Sequence, residues 1–445
     1  MKNSLLSLIF LILLCVSTPV FAENDVSLSI DVETAVEMAL NANLGLQSTR
    51  IDTEVARRDY MYRFNVFMPS ISARGTLGRA NTEPTASMFN PDPQRWSFSA
   101  GVTASLTLSA QILQGVKAIS NAYRDARITL QDAEREMRMQ TRTSYYQVLL
   151  LQEQYELATR RLAAAEERLE EIQANYDAGL VDELTLLRTR VGVETQRPGV
   201  LAQKQAVDSA MRSFAASIGI DNPELLQLTG TIESSIVELQ QASALLPLLE
   251  QNADLQALQR VQESLQIAIN TTKAGMLPMI TFSFSILPTL SGDPLSGDIF
   301  DPDSYSDSGS FSITVTQPVD AFIPGSSTYQ DIANQQDALE QTRLQEKELL
   351  DALELQLIQL TQTIATERQT LESLSSNVEL AEQAFLLAEE AYLNGLRDYS
   401  IVRDAEIDLD DARIQLLQEK HTYITNLLNL EYLLNTPIDS LKENQ

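Results

Sequence analysis

The sequence predicts a mainly α-helical chain with transmembrane-type β-strands, built as two copies of one unit: helix, β-hairpin, long helix and return helix. Three observations predict it. First, Val116–Ala178 and Ser326–Asn394 contain no Gly or Pro. At about 1.5 Å per residue each run can form a helix on the order of 95 Å long, more than a globular core can bury and suited to coiled-coil packing. Second, short words recur in order between the halves. Asn43 and Leu46 match Asn252 and Leu255, and Met68-Pro69-Ser70-Ile71 matches Leu277-Pro278-Met279-Ile280. Ser97-Phe98-Ser99 matches Ser310-Phe311-Ser312, and Asn175-Tyr176-Asp177-Ala178-Gly179-Leu180 matches Ala391-Tyr392-Leu393-Asn394-Gly395-Leu396. The offsets drift only from 209 to 216, as loop-length changes in a duplicated unit produce. Third, between the first helix and the long helix of each half the apolar period changes to two.

Taken in order, residues 1–22 read as a secretory signal, with Lys2, an apolar core from Leu5 to Val16, and Val20-Phe21-Ala22 before Glu23. The bulky Leu14 before Cys15 disfavours lipoprotein processing. Cleavage after Ala22 leaves no cysteine, so neither disulfides nor thiol chemistry is expected. The formal charge of −29 opposes nucleic acid and anionic headgroups and favours cationic partners or solutes. No later segment is apolar for about 18 residues, so no transmembrane helix is expected.

Residues 23–68 are expected to hold the first helix, with Asp31 as cap and Val32, Ala35, Val36, Ala39 and Leu40 at helical spacing. Its counterpart, residues 223–277, is expected to open near Ser234 and run past Leu249, with Pro247 as a kink or boundary. Each helix should end at Pro69 or Pro278.

The hairpins occupy residues 69–109 and 278–318. Phe98, Val102 and Leu106 alternate with Ser, Thr and Gly in Ser97–Leu108; Ile280, Phe282 and Phe284 do so in the next strand, and Phe311, Ile313 and Val315 in the last. Ser70–Arg79 is weaker, with Ile71, Ala73 and Leu77 opposite Ser72, Arg74 and Thr76. A half-buried soluble sheet shows the same alternation. The secretory signal, and helices that offer no second layer, favour a membrane barrel whose outward face carries the apolar residues. Ala80–Arg95 and Thr289–Gly309 are rich in Pro, Asp, Ser, Gly and Asn, as outer loops should be, and Trp96 stands at an interface-belt position. Four strands cannot close a barrel, and an open edge in lipid strands backbone polar groups at several kcal/mol each. Copies must therefore share one: eight strands from a dimer, twelve from a trimer, sixteen from a tetramer.

Residues 110–222 and 319–436 hold the long and return helices. Leu162, Leu169 and Ile172 mark the buried stripe in one, and Leu349, Leu353, Leu357 and Leu360 in the other. Tyr176 with Gly179, and Tyr392 with Gly395, mark the reversals. Return helices follow over Leu184–Ile218, which Pro198 should kink, and over Ser400–Leu434. Residues 437–445 are expected to form a polar, loosely ordered tail.

These features resemble the TolC-like outer-membrane efflux family over about Ile30–Leu434. The resemblance rests on the opening Asp-Val-Glu-Thr-Ala-Val-Glu-Met-Ala-Leu-x-x-Asn at Asp31–Asn43, on the reversal with Asp404-Ala405 and Ala412-Arg413, and on the duplicated plan. It implies a homotrimer with a shared twelve-stranded β-barrel in outer-membrane lipid and a coiled-coil helical tunnel across the periplasm. It also implies a periplasmic adaptor (membrane fusion) protein and an inner-membrane pump as partners, the chain being the passive, gated exit duct of an efflux or type I secretion system. Tyr392, Arg397 and Asp404 fall on the family's periplasmic gate. Ile401 stands where the pattern carries a second acid, and Leu184 and Thr185 where it carries Thr-Asp, so Asp182, Glu183 and Asp398 become the nearby acids for Arg397. Without a gate, the same residues are ordinary turn chemistry.

No phosphate loop, Cys–His metal spacing or nucleophile elbow occurs, so no enzyme, cofactor or metal is expected. His421, amid Glu419, Lys420 and Thr422, reads as a surface residue. The competing reading is a periplasmic coiled-coil adaptor or structural protein that never enters the membrane.

Overall fold

The computed structural model describes residues 28–81, 96–232, 236–290, 301–306 and 309–442. The expected signal, Ser234 and most of both outer loops lie outside the described residues. They fall into two compact units, Met1–Ala42 with Thr141–Ile232, and Asn43–Gln140 with Glu233–Gln445.

In the first unit, β1 (Leu28–Ile30) pairs in parallel with β4 (Leu226–Leu228). The Asp31 carboxylate caps α1 (Val32–Ala42) by accepting from the Thr34 amide at 2.9 Å. Ala35, Val36, Ala39 and Leu40 form its buried stripe. The C-terminal part of α3 (Ala110–Asp177) and α4 (Glu183–Ser217) complete the unit. Buried Tyr145 on α3 packs edge-on to Phe214 on α4 and donates its hydroxyl to the Ile30 carbonyl oxygen. Helix α4 runs unbroken through Pro198.

The second unit holds β2 (Ser70–Arg79), β3 (Trp96–Leu108), β5 (Met279–Ile286) and β8 (Ser310–Thr316) in one antiparallel sheet, ordered β2-β3-β5-β8. Pairing of β3 with β5 fuses the hairpins of both repeats, so the compact units do not coincide with the sequence repeats. The short strands β6 (Thr289–Leu290) and β7 (Tyr305–Ser306) extend the second hairpin into the expected loop.

The first helix differs from expectation because it is broken: Asn43 leaves the helix and caps α2 (Leu44–Met61), accepting from the Leu46 amide at 2.9 Å. The counterpart near Ser234 and Leu249 differs too. It is a single turn, α5 (Ala242–Leu245), then a 3₁₀ stretch with Pro247 near its start, then α6 (Ala253–Gly275). Asn252 caps α6 as Asn43 caps α2, accepting from the Asp254 and Leu255 amides.

Helices α7 (Ser327–Leu393) and α8 (Tyr399–Leu434) pack along an apolar seam. Leu353, Leu357, Ile364 and Leu371 of α7 meet Tyr423, Leu427, Leu430 and Leu434 of α8, with Leu349 and Leu360 beside them. The expected loose tail is instead held down as far as residue 442, because Leu441 is fully buried in this cluster and Lys442 forms a β-bridge with Leu239. Burial of each such side chain contributes roughly 1.5–3 kcal/mol. No described helix is long and apolar enough to cross a membrane.

Candidate functional site

Two places hold the residues expected from the sequence to carry function: the sheet and the helix reversals. Antiparallel partners point to the same side of a sheet, so the register decides which residues share a face. Ile280 pairs with Val315, Phe282 with Ile313 and Phe284 with Phe311. Phe282 and Leu106 are partners, as are Val102 and Ala73, and Phe98 and Leu77. Every expected outward residue therefore lies on one continuous apolar face. Within the protomer that face is uncovered: Ile71 is 72% exposed, Val315 65% and Phe311 64%. Strands β2 and β8 are the edges of the four-stranded path.

The opposite face is a field of hydroxyls. Ser70 bonds Ser105 at 2.8 Å, Thr107 bonds Thr281 at 3.1 Å, and Ser285 bonds Ser310 at 2.9 Å. At the strand ends, Arg79 stacks over the Trp96 ring 5.5 Å away.

At the second reversal the last turn of α7 closes as a Schellman motif. The Gly395 amide donates to the Tyr392 carbonyl oxygen at 2.8 Å, and the Leu396 amide to that of Ala391 at 2.9 Å. Gly395 has φ +69°, which a Cβ disfavours. The first reversal repeats this bond for bond: the Gly179 amide donates to Tyr176, the Leu180 amide to Asn175, and Gly179 has φ +75°.

Among the residues expected at a gate, Tyr392 packs edge-on to Tyr399 with centroids 5.7 Å apart. Asp404 pairs with its neighbour Arg403 at 2.9 Å. Arg397 and Asp398 are exposed and make no ion pair among the described residues. Asp398 takes the N-cap position of α8 without a capping bond from its carboxylate. Asp182, its counterpart in the first repeat, caps α4 by accepting from the Thr185 amide at 2.9 Å, and the Thr185 hydroxyl and amide hold its carboxyl below the usual range. Glu183 opens α4 and is exposed. Asp182 and Glu183 belong to the first unit; Tyr392, Arg397, Asp398 and Asp404 belong to the second.

Sequence reasoning missed the ion pairs that tie long to return helices. Arg413 meets Glu382 at 3.2 Å, and Arg197 meets Glu166 at 2.9 Å. Each residue of one pair lies 216 positions from its equivalent in the other, the offset of the reversals, so the signal was present in the repeat. His421 departs from its expected surface setting. It is half-buried with Nε2 enclosed, and desolvation lowers its pKa.

A sequence profile for the outer membrane efflux protein family, OEP, matches residues 35–220 and 245–436, one block in each repeat. Among solved structures, the outer membrane protein VceC from Vibrio cholerae is 16% identical with a TM-score of 0.72, covering 91% of this chain and 96% of that one. The CmeC outer membrane channel of Campylobacter jejuni is 14% identical with a TM-score of 0.75, covering 93% and 87%. The open state of the MtrE outer membrane channel of Neisseria gonorrhoeae is 16% identical with a TM-score of 0.73, covering 91% and 89%. At these identities the likeness is one of fold. No curated protein sequence matches the chain.

Proposed function

The chain belongs to the outer membrane efflux protein family, and from that premise we propose that three copies form the gated exit duct of a tripartite efflux or type I secretion system. It is an outer-membrane channel protein, from a family of channels rather than enzymes. Channels of this family act as trimers with adaptor and inner-membrane pump partners. For this chain the stoichiometry, a periplasmic adaptor and a pump are our reading, and the duct supplies no energy of its own.

One observation carries it: a four-stranded sheet with an uncovered apolar face and two edge strands, β2 and β8. Lipid accommodates such a face, while unpaired edges in lipid are prohibitive, so neighbouring copies complete the cylinder. A water-soluble adaptor would leave the same face against solvent, which disfavours the competing reading.

The reversals supply the closure. Tyr392 and Tyr399 form an aromatic contact, Arg397 is unneutralised within the described protomer, and acids on both repeats stand at helix starts. We assign a closing role in the tunnel to Arg397 with Asp398 at the second reversal and to Asp182 and Glu183 at the first, and an acidic ring at the constriction to Asp404. Such a ring favours cations.

The test is mass and conductance. Purified protein in detergent should scatter light as a trimer and give small, cation-selective currents in planar bilayers. A monomer that stays soluble without detergent would end the proposal.

A further inference from the structure

We propose that Arg74 is an anion-recognising residue in the passage of the barrel, contacting carboxylate, sulfonate or phosphate groups of solutes as they leave. The inference rests on the shared-barrel reading above, in which the sheet's polar face lines the water-filled interior.

The register defines that face. Ser70, Ser105, Ser283 and Ser312 stand side by side across all four strands. The other positions of this parity are Ser, Thr, Gly and, at the start of β5, Met279. Among the described residues of the four strands, Arg74 is the one ionisable side chain on it. The other strand arginine, Arg79, has the opposite parity and lies over Trp96 on the apolar side. The two arginines of β2 thus go to different faces, and only Arg74 enters the hydroxyl field.

Its surroundings leave it available. Arg74 is exposed and has no ion pair among the described residues, although the chain carries a formal charge of −29. Directly across the ladder stands Gly101, and the side chain lying over it is the apolar Leu287, which cannot neutralise a guanidinium. Gly101 is required there for a separate reason. A Cβ would stand 2.6 Å from the Ile286 carbonyl oxygen, where the chain leaving β5 crosses this face.

The bland alternative is a solvated surface arginine. Oligomeric closure separates the two, because each copy would contribute one guanidinium to the same ring in a lumen of neutral hydroxyls. Like charges gathered there repel one another, and an anion between them relieves the repulsion. The planar fork suits bidentate contact with carboxylate and phosphate oxygens. With a screening length of about 8 Å at physiological salt, the effect is local to that ring and separate from the acidic reversal end.

The test reads the barrel end alone. Wild-type protein, Arg74→Ser, Arg74→Lys and Arg79→Ser are placed in planar bilayers, and inositol hexakisphosphate is added on the barrel side. Half-block should need about tenfold more anion in Arg74→Ser than in wild type, the loss of roughly one charge-assisted contact. Arg74→Lys should retain block within about threefold, and Arg79→Ser should match wild type. Equal block in wild type and Arg74→Ser overturns the assignment, as does loss of block in Arg79→Ser, which would put the polar face outside. If none of the proteins conducts or forms a trimer, the exit-duct reading itself fails and this one with it.

Discussion

The α7–α8 seam carries a buried acid that makes a sharp prediction. Glu367 is 8% exposed, in the stripe between Ile364 and Leu371. It accepts a 2.6 Å bond from the Asn426 amide on α8, and its Oε2 is enclosed without a partner. The repeat-equivalent residues 216 positions earlier are Leu151 and Ala210, so the first repeat fills the corresponding positions without a polar pair. Replacing Glu367 by Leu removes the enclosed carboxylate but abandons Asn426, at a cost of about 1–3 kcal/mol. That cost should sit near the lower end, because Asn426 also lines a groove of about 490 Å³ with Gln356, Gln359 and Asn429, from which water can reach it. Adding Asn426→Ala removes both partners, and the double variant should be close to neutral. The predicted coupling between the sites is therefore about 1 kcal/mol or more. The assay is a double-mutant cycle on chemical unfolding of the detergent-solubilised protein, followed by far-UV circular dichroism. If Glu367→Leu alone is as stable as the double variant, Asn426 loses nothing by being left without its partner and the reasoning is wrong.

Other predictions follow from the same structure. Desolvation, then repulsion from Glu419, raises the Glu367 pKa against the lowering effect of Asn426. The folded chain then holds a proton the unfolded chain has released, so stability should fall as pH rises from the ordinary carboxylate value through the folded one; Glu367→Gln should flatten that slope in a pH series of unfolding curves. Gly395→Ala and Gly179→Ala meet open space but force a side chain into positive φ, and should each cost about 1 kcal/mol in unfolding free energy. Gly219→Ala should cost more, because its Cβ would also collide with that of Ala42. Arg413→Ala should change stability by at most about 1 kcal/mol, since its pair with Glu382 is solvent-exposed. Arg397→Ala or Tyr392→Ala should raise single-channel conductance in planar bilayers; unchanged conductance in both would remove the gate assignment.

Long-range order was more legible in the sequence than local junctions. The absence of Gly and Pro announced α3 and α7, and strict alternation announced β3, β5 and β8, because each signal accumulates over many residues. By contrast, β1 and β4 are three residues each and are defined by pairing across some two hundred positions, which no local pattern records. The break at Asn43 was hidden because apolar spacing continues across it, and only the capping bond to Leu46 ends one helix and starts the next. Proline punctuation at Pro247 was visible, but whether it kinks a helix or opens a 3₁₀ turn depends on packing around Leu245 and Leu249. At the reversals, Tyr392, Gly395 and Arg397 stood out in the repeat, yet the Tyr399 contact and the Arg403–Asp404 pair did not. Such contacts depend on the angle at which the chain turns back.

The most direct test uses fluorescence along one strand. With Trp96 replaced by Phe, a single tryptophan is placed in turn at residues 280–286 of reconstituted protein, and quenching by bromines on the lipid acyl chains is measured. The account predicts strong lipid quenching at 280, 282, 284 and 286 and weak quenching at 281, 283 and 285. Quenching without this alternation, or none at any position, would contradict it.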